Sequence, residues 1–374
     1  MKIVFLSRVL YLSGVTTHMR DLAKELIAQG HSVTILTAGP QFENSTGMDV
    51  LMDSLKGVGV HLHYINYPVK GNKWEYFKSL LKSAFSTYNY IKKERFDVIH
   101  VHTPILSFIP KFFLLKFVTT IHVARLKLGV FQQKPTFEIA ISKEVYKECL
   151  AKGMDQEHIS LIYNGVDKKY ALPISVEEKI LIKNKQGIPL NKIILGFVGT
   201  LCPRKGLDLL LKACTSLYET GKSQFHIVLL GNYDRESDNK WLSDVVRETG
   251  SENFLSIIGY KSPELFYKIF DIFVLPSRLE GFPLVTIEAM LSGCCCVRSN
   301  VEGAYDQIDD GKTGFLFENE NVEQLSSILK FLIENPDRRT EVAKAGREKA
   351  LKEFTSEVMA KKTIDVYKKV INEY

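Results

Sequence analysis

The sequence is short of several features that would place it quickly. It has no run of about 20 apolar residues, the length a membrane-spanning helix needs, although 45% of its 374 residues are hydrophobic. None of its six cysteines stands at C-x-x-C spacing, and Cys294, Cys295 and Cys296 are consecutive. Adjacent strand residues point to opposite faces, so the triplet cannot form one ligand set. The cysteines read instead as small buried hydrophobes in a reducing compartment. The first turn, SRVLYLSGVTTH, lacks G-x-G-x-x-G, which excludes a nicotinamide dehydrogenase, and G-x-x-x-x-G-K-[ST] is missing. With no RNP, KH or zinc pattern, a basic nucleic-acid-binding module is only a remote alternative. The start, MKIVFLSRVLYLSG, has too short an apolar run for a signal peptide and leads into a helical pattern rather than a cleavage site. The expected location is cytoplasmic, with peripheral attachment to the inner face of a membrane left open.

A chain of this length is expected to split into two domains, and its pattern is strand, helix, strand, helix. Strands are expected at 2–7, 32–37, 61–65, 97–102, 117–122, 137–142 and 159–164. After a polar stretch at 168–191, a second series is expected at 192–199, 226–231, 254–259, 271–276, 294–299 and 314–317. Helices are expected at 17–29, 207–220, 239–249, 262–270, 284–292, 321–334, 336–353 and 356–372. The fold class is α/β: two doubly wound Rossmann-like domains, 1–170 and 171–355. A C-terminal helix, 356–374, is expected to pack back on the first domain. Two such sheets facing each other make a cleft, with ligands at the carboxyl ends of strands.

Net charge is +6, unevenly spread. Residues 1–170 carry 22 Lys+Arg against 14 Asp+Glu, and the excess falls mainly between Lys70 and Lys134. Trp74, Tyr76, Phe77, Phe85, Tyr88, Tyr90, Phe108, Phe112 and Phe113 are interleaved there. Such a mixture suits an anionic membrane surface or nucleic acid, or else solvated lysines on helices whose aromatics are core. The segment ILSFIPKFFLLKF, 105–117, is either a membrane contact or a buried crossover.

Two turns carry chemistry. GTLCPRKG, Gly199–Gly206, follows a strand and opens a helix, so backbone N–H groups plus Arg204 and Lys205 can hold an anion. SRLEGFPLVTIEAM, Ser277–Met290, also follows a strand, and Pro283 suits the first turn of a helix. Glu280 then lies in the loop and Glu288 inside an apolar helix, where a carboxylate needs a bonding partner. A ribose diol would serve Glu288, as would an internal group. Two anion-ready turns in one sheet together describe a diphosphate, a ribose and a further polyol, which is a nucleotide sugar.

With these residues the C-terminal half resembles the retaining GT-B glycosyltransferases of family 4. Glu280 and Glu288 match E-x7-E. Gly199 through Lys205-Gly206 match the glycine-turn-Lys-Gly element. NGVD, 164–167, is similar to the segment closing the first domain, and DGKTGFLF, 310–317, to a later D-G-x-x-G-x-L. Ser13-Gly14 resembles the glycine-rich acceptor-side loop, and His122 the cleft histidine. The resemblance implies that Arg204 and Lys205 hold the donor diphosphate, with Gly199 and Thr200 lining it. Glu288 would bind ribose. Glu280 and the backbone of Gly281, Phe282, Pro283 and Leu284 would grip the transferred sugar. His122 would contact sugar or acceptor, Gly14 would allow close approach to phosphate or acceptor, and the Gly259-Tyr260 backbone would face the base. Thr200 stands where the family often has arginine, and Val301–Asp306 departs from its Gly-Gly…Glu loop, with Glu302 or Asp306 as the acidic substitute.

The function so implied is metal-independent transfer of a hexosyl or N-acetylhexosaminyl group, with retention, from a nucleotide diphosphate sugar. The acceptor would be a lipid-linked or cell-surface polysaccharide such as lipopolysaccharide, capsule or teichoic polymer. No metal and no cofactor are expected, since no D-x-D stands where a diphosphate would need one. His100, His102 and His122 alternate or end on neighbouring strands without a matching carboxylate or cysteine. Domain closure about a linker near residue 170 would gate turnover. The alternative is a nucleotide-sugar epimerase or phosphorylase of the same fold.

Overall fold

A computed structural model describes residues 1–11, 13–40, 46–67, 72–122, 134–219 and 224–372. The chain forms two compact units, one of Met1–Gly165 with Ser356–Tyr374 and one of Val166–Thr355. Residues 166–170, expected with the first domain, cluster with the second. The NGVD segment straddles the division. There Val166 N–H donates to Phe354 O at 2.9 Å and Val166 bridges Thr355, pinning the two ends of the second unit together.

The first unit holds seven strands: β1 (Lys2–Leu6), β2 (Ser32–Thr37), β3 (His61–Tyr64), β4 (Val98–Val101), β5 (Val118–Ile121), β6 (Phe137–Ala140) and β7 (Ile159–Leu161). Their order is β3-β2-β1-β4-β5-β6-β7, all parallel. The second holds β8 (Ile193–Val198), β9 (Phe225–Leu230), β10 (Leu255–Ile258), β11 (Ile272–Leu275), β12 (Cys295–Ser299) and β13 (Phe315–Phe317), in the order β10-β9-β8-β11-β12-β13. Both are doubly wound. Each reverses direction beside its first strand, between β1 and β4 and between β8 and β11, where α/β folds bind ligands. Parallel strands covered on both faces read as continuous apolar runs: β9 and β11 are buried throughout. All six cysteines are free and buried.

Helices cover the sheets with their apolar stripes. Gly14–Ala28 buries Met19, Leu22, Ala23 and Leu26. It begins three residues before its expected start, because its first turn is polar and only the later residues carry the apolar period. The helix Ser356–Asn372 belongs to the first unit and buries Met359, Ala360, Ile364 and Tyr367 in its core. Ser356 donates to Glu25 at 2.9 Å.

Besides the short helix Ala304–Gln307, helices among the described residues stand where none was expected at Thr46–Gly57, Lys73–Glu94, Lys143–Ala151 and Val176–Lys185. The last lies in the polar stretch after the first series. It is held by a capping box in which Ser175 accepts from Glu178 N–H and Glu178 accepts from Ser175 N–H. The segment 105–117 is not one crossover helix. It is a 3-10 turn, Pro104–Ser107, then a short helix, Phe108–Phe112. Parts of the basic-aromatic stretch, Lys70 and residues 123–133, lie outside the described residues.

Candidate active site

The turns after β8 and β11 flank the reversal point of the second sheet. After β8 the chain makes a 3-10 turn, Pro203–Lys205, passes Gly206 and enters the helix Leu207–Glu219. Gly206 has φ +68°, and a Cβ there would meet Pro276 O at 2.0 Å. Only glycine lets this turn lie against the end of β11. The turn after β11 leads through Pro283 into the helix Leu284–Leu291, which buries Leu284, Ile287, Glu288 and Met290.

Hydrogen bonds tie the two turns into one surface. Arg278 N–H donates to Arg204 O at 2.9 Å, and Arg204 Nη1 donates to Leu279 O at 3.1 Å. Arg278 grips Asp208 with both terminal nitrogens, at 2.8 and 2.9 Å, and Pro203 O at 2.6 Å. At the centre Lys205 Nζ stands 2.5 Å from Glu280 Oε1, both side chains largely buried. Burial raises the Glu280 pKa, but the Lys205 ammonium and the Arg298 charge outweigh it and hold the carboxyl below its usual range. Glu280 is therefore ionised and weakly basic. An ammonium has three donors, so Lys205 keeps two after this bond.

Glu288 is buried, and its Oε2 accepts from Tyr267 Oη at 2.7 Å. The internal partner weighed for this carboxylate thus exists. Tyr260 lies after β10, and its N–H, expected to face a base, is taken by Asn232 Oδ1 at 2.9 Å.

Arg298 is one neighbour of the turns that sequence reasoning missed. It sits on β12 with 1% of its surface exposed, and burial lowers its pKa to about 10 while Glu280 opposes the shift. Nη1 donates to Gln307 Oε1 at 2.5 Å, Nη2 donates to Glu302 O at 3.1 Å, and Nε has no hydrogen-bond partner. Gln307 in turn donates to Pro283 O at 2.9 Å. Gly303, at φ +72°, approaches Gly281 so closely that a Cβ would lie 2.1 Å from its carbonyl oxygen. The loop 301–307 thus braces the segment Gly281–Pro283. The one signal in the sequence was an arginine inside the otherwise apolar run CCCVRS.

In the first unit, Gly14 opens its helix, preceded by extended Ser13, whose side chain makes no capping hydrogen bond. One turn later His18 meets His122, with ring centroids 4.9 Å apart. His102 Nδ1 and His122 Nε2 are 3.3 Å apart. Ring nitrogens of His18, His102 and His122 all lie within 4.8 Å of one another, the one such group among the described residues that could hold a metal ion. His100, grouped with them from the sequence, is instead satisfied by Tyr367 Oη and Thr120 Oγ1, each at 2.7 Å. His18 Nδ1 and Nε2 and His102 Nε2 are buried without a hydrogen-bond partner. Burial depresses all three pKa values, that of His18 to about 4. The three imidazoles are packed against one another and kept neutral by burial.

Comparison with known proteins agrees with this arrangement. Residues 178–349 match the family model of the glycosyl transferases group 1, and residues 12–170 that of glycosyltransferase family 4. An uncharacterized glycosyltransferase of Methanocaldococcus jannaschii is 23% identical, covering 96% of this chain and 94% of its own. The UDP-Gal:alpha-D-GlcNAc-diphosphoundecaprenol alpha-1,3-galactosyltransferase of Escherichia coli is 27% identical over 67% of this chain and 69% of its own. A glycosyltransferase of Rickettsia africae superposes with a TM-score of 0.86 at 22% identity, covering 100% of this chain and 99% of its own. Anabaena HepE in complex with UDP-glucose gives 0.83 at 18% identity, covering 99% and 100%. At such identities the structural likeness speaks for the fold. Two doubly wound sheets, the paired turns after β8 and β11 and the two family models lead to one assignment: the chain belongs to the group 1 glycosyltransferases and has the GT-B fold.

Proposed function

We propose that the second unit binds a nucleotide diphosphate sugar and that the enzyme transfers its hexosyl or N-acetylhexosaminyl group, with retention and without a metal ion. The acceptor is a lipid-linked or cell-surface polysaccharide. The observation that carries this reading is the buried Lys205–Glu280 pair joining two anion-ready turns.

In this reading the two remaining donors of Lys205, the guanidinium of Arg204 and the N–H groups opening Leu284–Leu291 receive the diphosphate, with Gly199 and Thr200 beside it. They stabilise the charge that grows on the leaving group. Glu280, already neutralised by Lys205, is a poor nucleophile and a poor base, and it orients the sugar hydroxyls beside Gly281, Phe282, Pro283 and Leu284. The free oxygen of the departing phosphate takes the proton of the acceptor hydroxyl as that hydroxyl attacks the anomeric carbon from the leaving-group side. Glu288, which Tyr267 orients, accepts from ribose. His122 is neutral, so it serves the sugar or acceptor as a hydrogen-bonding group rather than an acid. The Escherichia coli galactosyltransferase and the UDP-glucose complex of HepE support a UDP-linked donor, and the former an undecaprenol-linked acceptor.

The test is transfer from UDP-, GDP- and ADP-sugars in EDTA, with the anomeric proton of the product followed by NMR. The product should keep the donor's configuration. An inverted product, or transfer only after magnesium or manganese is restored, would refute the mechanism.

A further inference from the structure

The helix Lys73–Glu94 is laid on the first unit in an unusual way. Its inward side is built largely from small or modest residues, Leu80, Ser83, Ala84, Thr87 and Ile91, all buried. Its outward side carries the large apolar groups. Trp74 is 75% exposed, Phe77 44% and Phe85 50%, and the spacing places them along one face. A second piece continues this surface. Phe112, at the end of the short helix Phe108–Phe112, is 63% exposed, and Leu114 is 90% exposed. Leu114 adopts φ +55°, a region leucine rarely visits. Phe113 joins the pieces: its ring stacks on Tyr88 at 4.0 Å and meets Phe85 at 5.2 Å and Phe112 at 5.0 Å.

Charge chooses the occupant. Lys78, Lys82, Lys92 and Lys111 are exposed on these same elements. The exposed acid beside them is Glu75, while Glu94 is bound by Lys2 at 2.7 Å. A second copy would bring lysine against lysine. An anionic bilayer accepts both components, since aromatic and leucine side chains enter its interfacial zone while lysines reach the headgroups. No helix among the described residues is long and apolar enough to cross a membrane, so this would be contact along the surface.

We propose that this face, Trp74, Phe77, Phe85, Phe112 and Leu114 ringed by lysines, docks the protein on an anionic lipid bilayer. The proposal deepens the lipid-linked acceptor reading and rests on it only for its purpose.

The experiment is co-sedimentation of the full chain with phosphatidylcholine vesicles, with and without phosphatidylglycerol, at low and high salt. Two exposed-site variants are compared, Phe85→Ser/Phe112→Ser/Leu114→Ser and Lys78→Glu/Lys82→Glu. The wild type should pellet only with anionic vesicles and be released by salt, and each variant should bind about tenfold more weakly. Circular dichroism and nucleotide binding, measured on the same variants, should stay unchanged. Loss of nucleotide binding by the wild type would count against the transferase reading and leave the docking result standing. Failure to pellet with anionic vesicles, or equal binding by wild type and variants, would overturn the docking face. So would a wild-type dimer in sedimentation that the same substitutions dissolve.

Discussion

The two units share a strand order and differ in what they place at the carboxyl ends of their strands. The second unit sets out charge: Arg204, Lys205, Glu280, Arg278 with Asp208, and buried Arg298. The first, on the elements after β1, β4 and β5, sets out neutral imidazoles, His18, His102 and His122. One architecture thus yields a surface suited to a polyanion and another suited to uncharged hydroxyls. The charged groups of the second unit are held beforehand by hydrogen bonds to one another or to backbone carbonyls and Gln307, which is the preorganisation that electrostatic catalysis requires. The histidines are kept neutral by burial.

The comparison breaks most sharply at the charged end. Replacing Arg204 and Lys205 together by Ala should lower turnover by about 100- to 1,000-fold with the fold intact by circular dichroism. Retained turnover would remove the phosphate role. The neutral end answers to pH. Histidines whose folded pKa lies below the ordinary 6.5 leave the unfolded chain binding more protons as pH falls. Their stabilisation is complete above pH 6.5 and is lost as pH drops toward about 4, by about 3 kcal/mol for His18 alone. Urea midpoints at pH 7.5 and pH 5 should fall accordingly, and His18→Gln should flatten the dependence. Through the same window Glu280, held below the usual carboxylate range, keeps its pair with Lys205. An unchanged midpoint at pH 5 would mean the rings are not neutral and buried.

The sheets were legible because parallel strands covered on both sides are unbroken apolar runs bounded by glycine and polar residues. All thirteen fall within a residue or two of their expected places except at the carboxyl ends of short edge strands such as β7. Helices with a single apolar stripe were equally plain. Lys73–Glu94 was not, because exposed Trp74, Phe77 and Phe85 on the outside and buried Ser83 and Thr87 on the inside blur its 3.6-residue period. Val176–Lys185 buries none of its residues and shows itself only through its capping box. At the site, Arg204, Lys205 and Glu280 declared themselves by the turns they occupy. Arg298 and His18 did not, since their roles come from strands and helices far apart in sequence. His100 does pack against His102, with ring centroids 4.1 Å apart, but alternation along β4 could not show that its nitrogens are taken by Tyr367 and Thr120.

The most direct measurement is calorimetric titration of the full chain with UDP, GDP and ADP in EDTA, beside the Arg204→Ala/Lys205→Ala variant. The account predicts that one nucleoside diphosphate binds the wild type without metal and that the variant loses most of that affinity. Equal binding by variant and wild type, or binding by the wild type only when magnesium is supplied, would contradict it.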